Sequence, residues 1–146
     1  MKRFAAVALL IIGLVVAYFE SNQSQPVGES QRATTPEQGH PVVQAFNERR
    51  SDLWLTTSGV VDRVLPDDNK GSRHQRFLLR VTDGHTVLVA HNIDLASKVP
   101  LSRGDSISLR GEYEWNEKGG VIHWTHHDPQ GRRDGGYIQF EGERYE

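Results

Sequence analysis

The chain has 146 residues, a formal net charge of -2 and 25% charged residues, which leaves room for one modest domain and a small addition at one end. Its lack of cysteine excludes disulfides, thiolate metal sites, a cysteine nucleophile and a lipid-modified cysteine, so any metal ligands must be His, Asp or Glu. No global basic excess advertises nucleic-acid binding, although a local patch could still exist.

Lys2 and Arg3 precede an uninterrupted apolar run from Phe4 to Phe19, which Glu20 closes. A positive end before such a run has the form of an export signal. The run is slightly shorter than the roughly 17–25 residues that span a bilayer comfortably. Its small-residue cleavage point, Val15-Val16-Ala17, lies inside the apolar stretch, while Tyr18 and Phe19 suit an interfacial aromatic anchor. These features favour an uncleaved signal anchor over residues 1–19. Lys2 and Arg3 would then stay cytoplasmic, and the remainder would face the periplasm from a bacterial inner membrane. Cleavage to a periplasmic or secreted form is the alternative.

Residues 20–39 are rich in Ser, Gln, Pro, Glu, Thr and Gly and nearly empty of large apolar side chains, so they read as a flexible tether. His40 falls at its end. The domain then occupies residues 40–146. Pro41 to Arg50 suits a short amphipathic helix, with Val42, Val43 and Phe46 at helical spacing and Pro41 in the first turn. Its apolar stripe is expected to cover one end of the domain.

From Leu53 the rhythm becomes that of strands. Leu53–Leu65 is rich in Trp, Thr and Val, with Gly59 marking a bend, and Pro66–Ser72 is a polar turn. Arg73–Thr82 and His85–Asn92 flank Asp83-Gly84, a strong hairpin signal. Ile93–Pro100 crosses over, Arg103-Gly104-Asp105 turns, and Ser106–Trp115, Val121–His127 and a terminal hairpin over Tyr137–Tyr145 complete the set. This pattern predicts an all-β fold: a small five- to six-stranded Greek-key barrel like the oligonucleotide/oligosaccharide-binding (OB) fold. An apolar N-terminal helix and the short amphipathic helix precede it.

Residues 119–136 hold three of the seven histidines between paired glycines, with Trp124, Asp128, Arg132 and Arg133 among them. A two-residue turn at Asp83-Gly84 would set Arg76 opposite His91, with His74 one pair beyond on the same face. Phe77, Leu79, Val81 and Leu88 would then face the core. A register slip of one residue would exchange the faces. On the next strand Ile122, Trp124 and His126 alternate with His123, Thr125 and His127.

Three readings fit these groups. The first is a hydrogen-bonded network tying loops to the barrel, with Trp124 in the core. The second is a face for a polyanion or glycan, built from His74, His91, Asn92, His123, His126 and Asp128, with Lys70, Arg73, Arg76, Arg132 and Arg133 supplying charge and Tyr113, Trp115 and Trp124 as stacking platforms. The third is a divalent-metal hydrolase, of nuclease or phosphodiesterase type, using His74, His91, His123 and His126 with Asp67, Asp68 or Asp128. The His123-x-x-His126 spacing matches no zincin helix, and strands set i and i+3 on opposite faces. The chain carries no glycine-rich phosphate loop, no Gly-x-Ser-x-Gly elbow and no complete EF-hand loop.

The runs Leu65–Phe77, Ala90–Ala96, Gly111-Glu112-Tyr113-Glu114-Trp115-Asn116 and Gly120–Pro129 together resemble a bacterial domain-of-unknown-function family, DUF3465. The similarity covers about Leu53 to the C-terminus. The resemblance implies a short exported protein, in agreement with the anchor, and implies no particular chemistry or cofactor. In the family that the chain resembles, the segment after Gly131 often carries His and Trp where this chain has Arg133 and Tyr137. That departure implies that neither position is an essential ligand or stacking platform here.

The sequence therefore predicts a membrane-tethered, periplasm-facing OB-like domain that binds a polyanion or glycan through a His/Arg/Trp face. A metal-dependent hydrolase and a structural envelope protein are the alternatives.

Overall fold

The structure, a computed structural model, describes residues 39–146, all within the compact unit Thr34–Glu146. The anchor expected over residues 1–19, and all but the last residue of the tether over residues 20–39, lie outside the described residues. Among the described residues no helix is long and apolar enough to cross a membrane.

A single helix, α1 (Pro41–Asn47), precedes seven strands: β1 (Leu53–Asp68), β2 (His74–Thr82), β3 (His85–Asn92), β4 (Ser106–Glu114), β5 (Val121–His123), β6 (Tyr137–Phe140) and β7 (Glu143–Tyr145). The first five close a ring, β1-β2-β3-β5-β4 and back to β1. Only β3 and β5 run parallel within it. The long β1 makes closure work: Leu53–Val60 pair with β4, and Val60–Asp68 pair with β2. Gly59 sits at the change of partner, where an added Cβ would press on the Arg80 carbonyl and the Leu79 side chain. The expected bend at this glycine is therefore a close backbone approach.

Alternation along the strands builds the interior. Phe77, Leu79, Val87, Val89, Leu109, Tyr113 and Ile122 all point into the ring and are essentially inaccessible to solvent. The Tyr113 phenol is pushed up to about 12 by burial. From outside the ring, Val42 and Ala45 of α1 and Ile138 and Phe140 of β6 join the same core. Helix α1 starts at Pro41 as expected. Phe46 contacts His85 edge-on at 4.7 Å and stacks with Trp115 at 6.3 Å, placing the helix at the end that holds the β2–β3 and β4–β5 turns. At the opposite end the crossover after β3 closes over the ring, with Val99 buried in the core and exchanging two hydrogen bonds with the Gln75 side chain.

His40 is not a tether residue. Its Nε2 lies 3.1 Å from Thr57 Oγ1, and burial, with His85 nearby, lowers its pKa.

The β2–β3 hairpin departs from the expected register. Thr82 does face His85 across Asp83-Gly84. A bulge at Val81 follows, and beyond it Arg80 faces Thr86, Gln75 faces His91, and His74 faces Asn92. That extra residue moves His91 into the core, beside buried Gln75, and leaves Arg76 and His74 on the outer face. Leu88 likewise moves outside, while Val87 and Val89 take the interior.

Strand β5 ends at His123, well before the expected His127, because Trp124 adopts φ 54, a left-handed conformation that breaks the extended chain. The crossover after β3 forms no helix. The expected terminal hairpin is present as β6–β7, with positive φ at both Glu141 and Gly142.

Candidate functional site

β5 and β6 lie one after the other along the same edge of β4: Glu112–Glu114 pair with β5 and Ser108–Arg110 with β6. The chain leaves that edge after His123 and rejoins it at Tyr137. Residues 124–136 must therefore loop out and return, in the manner of an Ω-loop. The base of the loop is closed by Gly136 N–H donating to the His126 carbonyl at 2.9 Å. Gly136 has no room for a side chain there, since a Cβ would overlap the Trp124 and Arg110 carbonyls. Inside the loop, Asp128 accepts the backbone N–H groups of Gln130, Arg132 and Arg133 at 2.9–3.0 Å. Those bonds, the one from Gln130 first, hold its carboxyl below the usual range.

This loop packs beside the outer ends of β2 and β3 and encloses a cavity of about 210 Å³ lined by His74, Asn92, Leu95, His123, Trp124 and His126. A second, of about 730 Å³, shares Leu95 and Trp124 with it and continues along Asp128, Gln130, Arg132 and Arg133. Together they form one groove with Trp124 as the common wall.

The histidines around the groove have fixed tautomers, because a carbonyl can only accept. His74 Nδ1 lies 2.8 Å from the Ser72 carbonyl and His126 Nδ1 2.7 Å from the His127 carbonyl. Each Nδ1 must carry the proton, leaving Nε2 as an acceptor when the ring is neutral. Burial lowers the His126 pKa, outweighing the opposing hydrogen bond to the His127 carbonyl, and the nearby His127 and His74 rings add a smaller lowering. Its ring stacks on Trp124 at 5.2 Å. His91 lies beneath the groove. Its Nε2 donates to the Ser97 carbonyl at 3.1 Å, and its Nδ1 accepts from Thr125 Oγ1 at 2.8 Å. Burial lowers its pKa too, so it is a neutral structural pin.

Of the residues singled out from sequence, His74, Asn92, His123, Trp124, His126, Asp128 and Arg132 come together along the groove. His91, Arg76 and Trp115 do not. His91 is fully buried with both ring nitrogens engaged. Arg76 is spent on the Pro66 carbonyl, to which Nε and an Nη donate at 3.1 and 3.0 Å. Trp115 is at the helix end, donating Nε1–H to the Phe46 carbonyl at 3.0 Å beneath Arg49. The four histidines considered as metal ligands thus do not converge.

The sequence reading overlooked two acidic residues. Glu112 and Glu114 alternate with Gly111 and Tyr113 on β4, so both face outward, and the β4–β5 register sets Glu112 directly opposite His123. His123 Nε2 lies 3.8 Å from a carboxylate oxygen of each. Arg133 crosses the Trp124 ring at 5.2 Å and reaches Glu112 Oε2 at 3.5 Å, so it links the loop to β4 on this surface. Period-two reading of Ser106–Trp115 against Val121–His123 contained the signal for the glutamates.

No curated protein matches the chain. A family model described as "Protein of unknown function (DUF3465)" matches residues 30–146, the whole of the described domain and a short stretch before it, and the chain belongs to that family.

Proposed function

We propose that this protein is a glycan-binding module, a small OB-like Greek-key barrel held at the periplasmic face of the inner membrane by residues 1–19 and a tether over residues 20–39. The ring order β1-β2-β3-β5-β4 supports the OB-like reading, and in such barrels the face of the second and third strands takes oligosaccharides and oligonucleotides. The groove here crosses the outer ends of β2 and β3.

The groove's charge balance carries the choice of ligand. Arg132 and Arg133 are its arginines, Asp128 faces them, and Arg133 is shared with Glu112. His126 is held towards its neutral form. A polyanion needs an excess of free cations, whereas a sugar chain needs a concave surface with an apolar wall and a few placed donors and acceptors. Trp124, Asn92, Gln130 and the histidine Nε2 atoms supply those. A hydrolase built on the four histidines has less support, because His91 has no nitrogen to offer.

Titration calorimetry of the full chain in detergent with neutral and uronic-acid oligosaccharides, alongside heparin and single-stranded DNA, tests this. Saturable oligosaccharide binding that Trp124→Ala abolishes supports the proposal. Binding of the polyanions alone, falling steeply with salt, would replace it with the polyanion reading.

A further inference from the structure

We infer that Glu112, Glu114 and His123 form a zinc-class divalent cation site on the outer face of the β4–β5 ladder, with Arg133 as a competing counter-charge. The inference is independent of what the groove binds.

The ligand atoms are already gathered. His123 Nε2 lies 3.8 Å from Glu112 Oε2 and 3.8 Å from Glu114 Oε1, and the three ligand atoms all lie within 4.8 Å of one another. Zinc–nitrogen and zinc–carboxylate bonds of about 2.0–2.2 Å at tetrahedral angles put neighbouring ligand atoms roughly 3.4 Å apart. The two His123–Glu distances need a contraction of a few tenths of an ångström, and the carboxylate oxygens, within 4.8 Å of each other, can close further by side-chain rotation. Among the described residues this is the group of His, Asp and Glu side chains gathered tightly enough for one ion.

A second observation is independent of the carboxylates. His123 Nε2 is closed off from solvent and has no hydrogen-bond partner. It points between two carboxylate oxygens that are too distant to hydrogen-bond with it. A buried imidazole nitrogen without a partner is uncommon in a folded protein, and a cation between it and the glutamates would satisfy all three groups. The backbone makes the arrangement durable: Glu112 and His123 are a directly facing antiparallel pair, and Glu114 is two residues along the same face. The glutamates are 12% and 33% exposed at the side chain, so the site opens to solvent on the Glu114 side.

One imidazole with two carboxylates favours zinc or manganese over calcium or magnesium, which prefer all-oxygen sets. Three protein ligands leave a further position for water or a ligand group. Arg133 draws on Glu112 Oε2 at 3.5 Å and would yield that oxygen to the ion.

The test is calorimetric titration of the full chain in detergent with zinc alone, with calcium and magnesium as comparators. Losing a residue that merely orients a metal ligand typically costs about 10–100-fold in affinity, and losing a ligand should cost at least as much. One zinc per chain is expected, weakened by about tenfold or more in Glu114→Gln and in His123→Gln, unchanged in His74→Asn, and tightened in Arg133→Gln. Glu114 is partly exposed, so its variant keeps the fold, which circular dichroism checks. The inference is overturned if zinc fails to bind, if binding survives Glu114→Gln and His123→Gln, if His74→Asn abolishes it, or if calcium or magnesium binds in preference.

Discussion

His91 Nδ1 accepts a hydrogen bond from Thr125 Oγ1 at 2.8 Å across the buried floor of the groove, joining β3 to the first turn of the loop that follows β5. Both residues are fully buried, and the second ring nitrogen is held by the Ser97 carbonyl at 3.1 Å. One imidazole thus fixes three segments: β3, the crossover after it and the loop over residues 124–136.

Thr125→Val keeps the shape and removes the donor, leaving a buried acceptor unpaired. Such a loss costs about 1–3 kcal/mol. Chemical denaturation should show a destabilisation of that size. An unchanged midpoint would mean that the contact holds nothing in place.

Gly136→Ala should be more damaging. Its Cβ would overlap the Trp124 and Arg110 carbonyls, and backbone cannot rotate aside as a side chain can. The loop should detach from β4, visible as faster amide exchange from Trp124 to Tyr137 and lower stability. Retention of wild-type exchange would contradict the close approach.

Stability should fall as the solution is acidified below the ordinary histidine pKa of about 6.5. His91, His126 and His40 all have lowered values in the folded protein, chiefly from burial. Below that pH the unfolded chain takes up protons first, so acid favours unfolding until the folded pKa values are passed. Above about pH 7 these groups are neutral in both states and contribute no slope. Asp94 and Asp128, whose values are also lowered, act only in the lower carboxylate range. Melting curves between pH 5 and pH 8 check the sign, and a plateau down to pH 5 would contradict it.

The tryptophans should separate by role. Trp115→Ala removes the Nε1–H bond to the Phe46 carbonyl and the stacking that seats α1, so it should lower stability, by up to about 3–5 kcal/mol, and leave groove binding alone. Trp124→Ala removes the wall shared by both cavities and should lower ligand affinity by a larger factor than it lowers stability. Parallel melting and binding measurements on the two variants distinguish the roles, and matched effects would contradict the division.

Much of the fold was legible from local pattern. The β2–β3 hairpin, the Pro41 helix start, the terminal β6–β7 hairpin and the grouping of His123, Trp124 and His126 with Asp128 all follow from alternation and turn residues. What was not legible depended on single-residue events. A bulge at Val81 reversed the side on which His91 falls, and the left-handed backbone of Trp124 cut β5 short. Neither residue is a type that advertises such behaviour: Val favours regular strands, and Trp rarely adopts positive φ. Trp115 looked like an open platform because nothing local says that α1 folds back onto it. Glu112 and Glu114 acquire a role only through the β4–β5 register, which sets Glu112 against His123.

The most direct test of the account is oligosaccharide titration of the full chain, followed by tryptophan fluorescence, at salt concentrations of about 50 and 200 mM, a range over which polyanion binding collapses. The account predicts a saturable change with nearly the same midpoint at both concentrations, lost in Trp124→Ala and kept in Trp115→Ala. No saturation with any oligosaccharide, or a signal that survives Trp124→Ala, would contradict the groove as a glycan site.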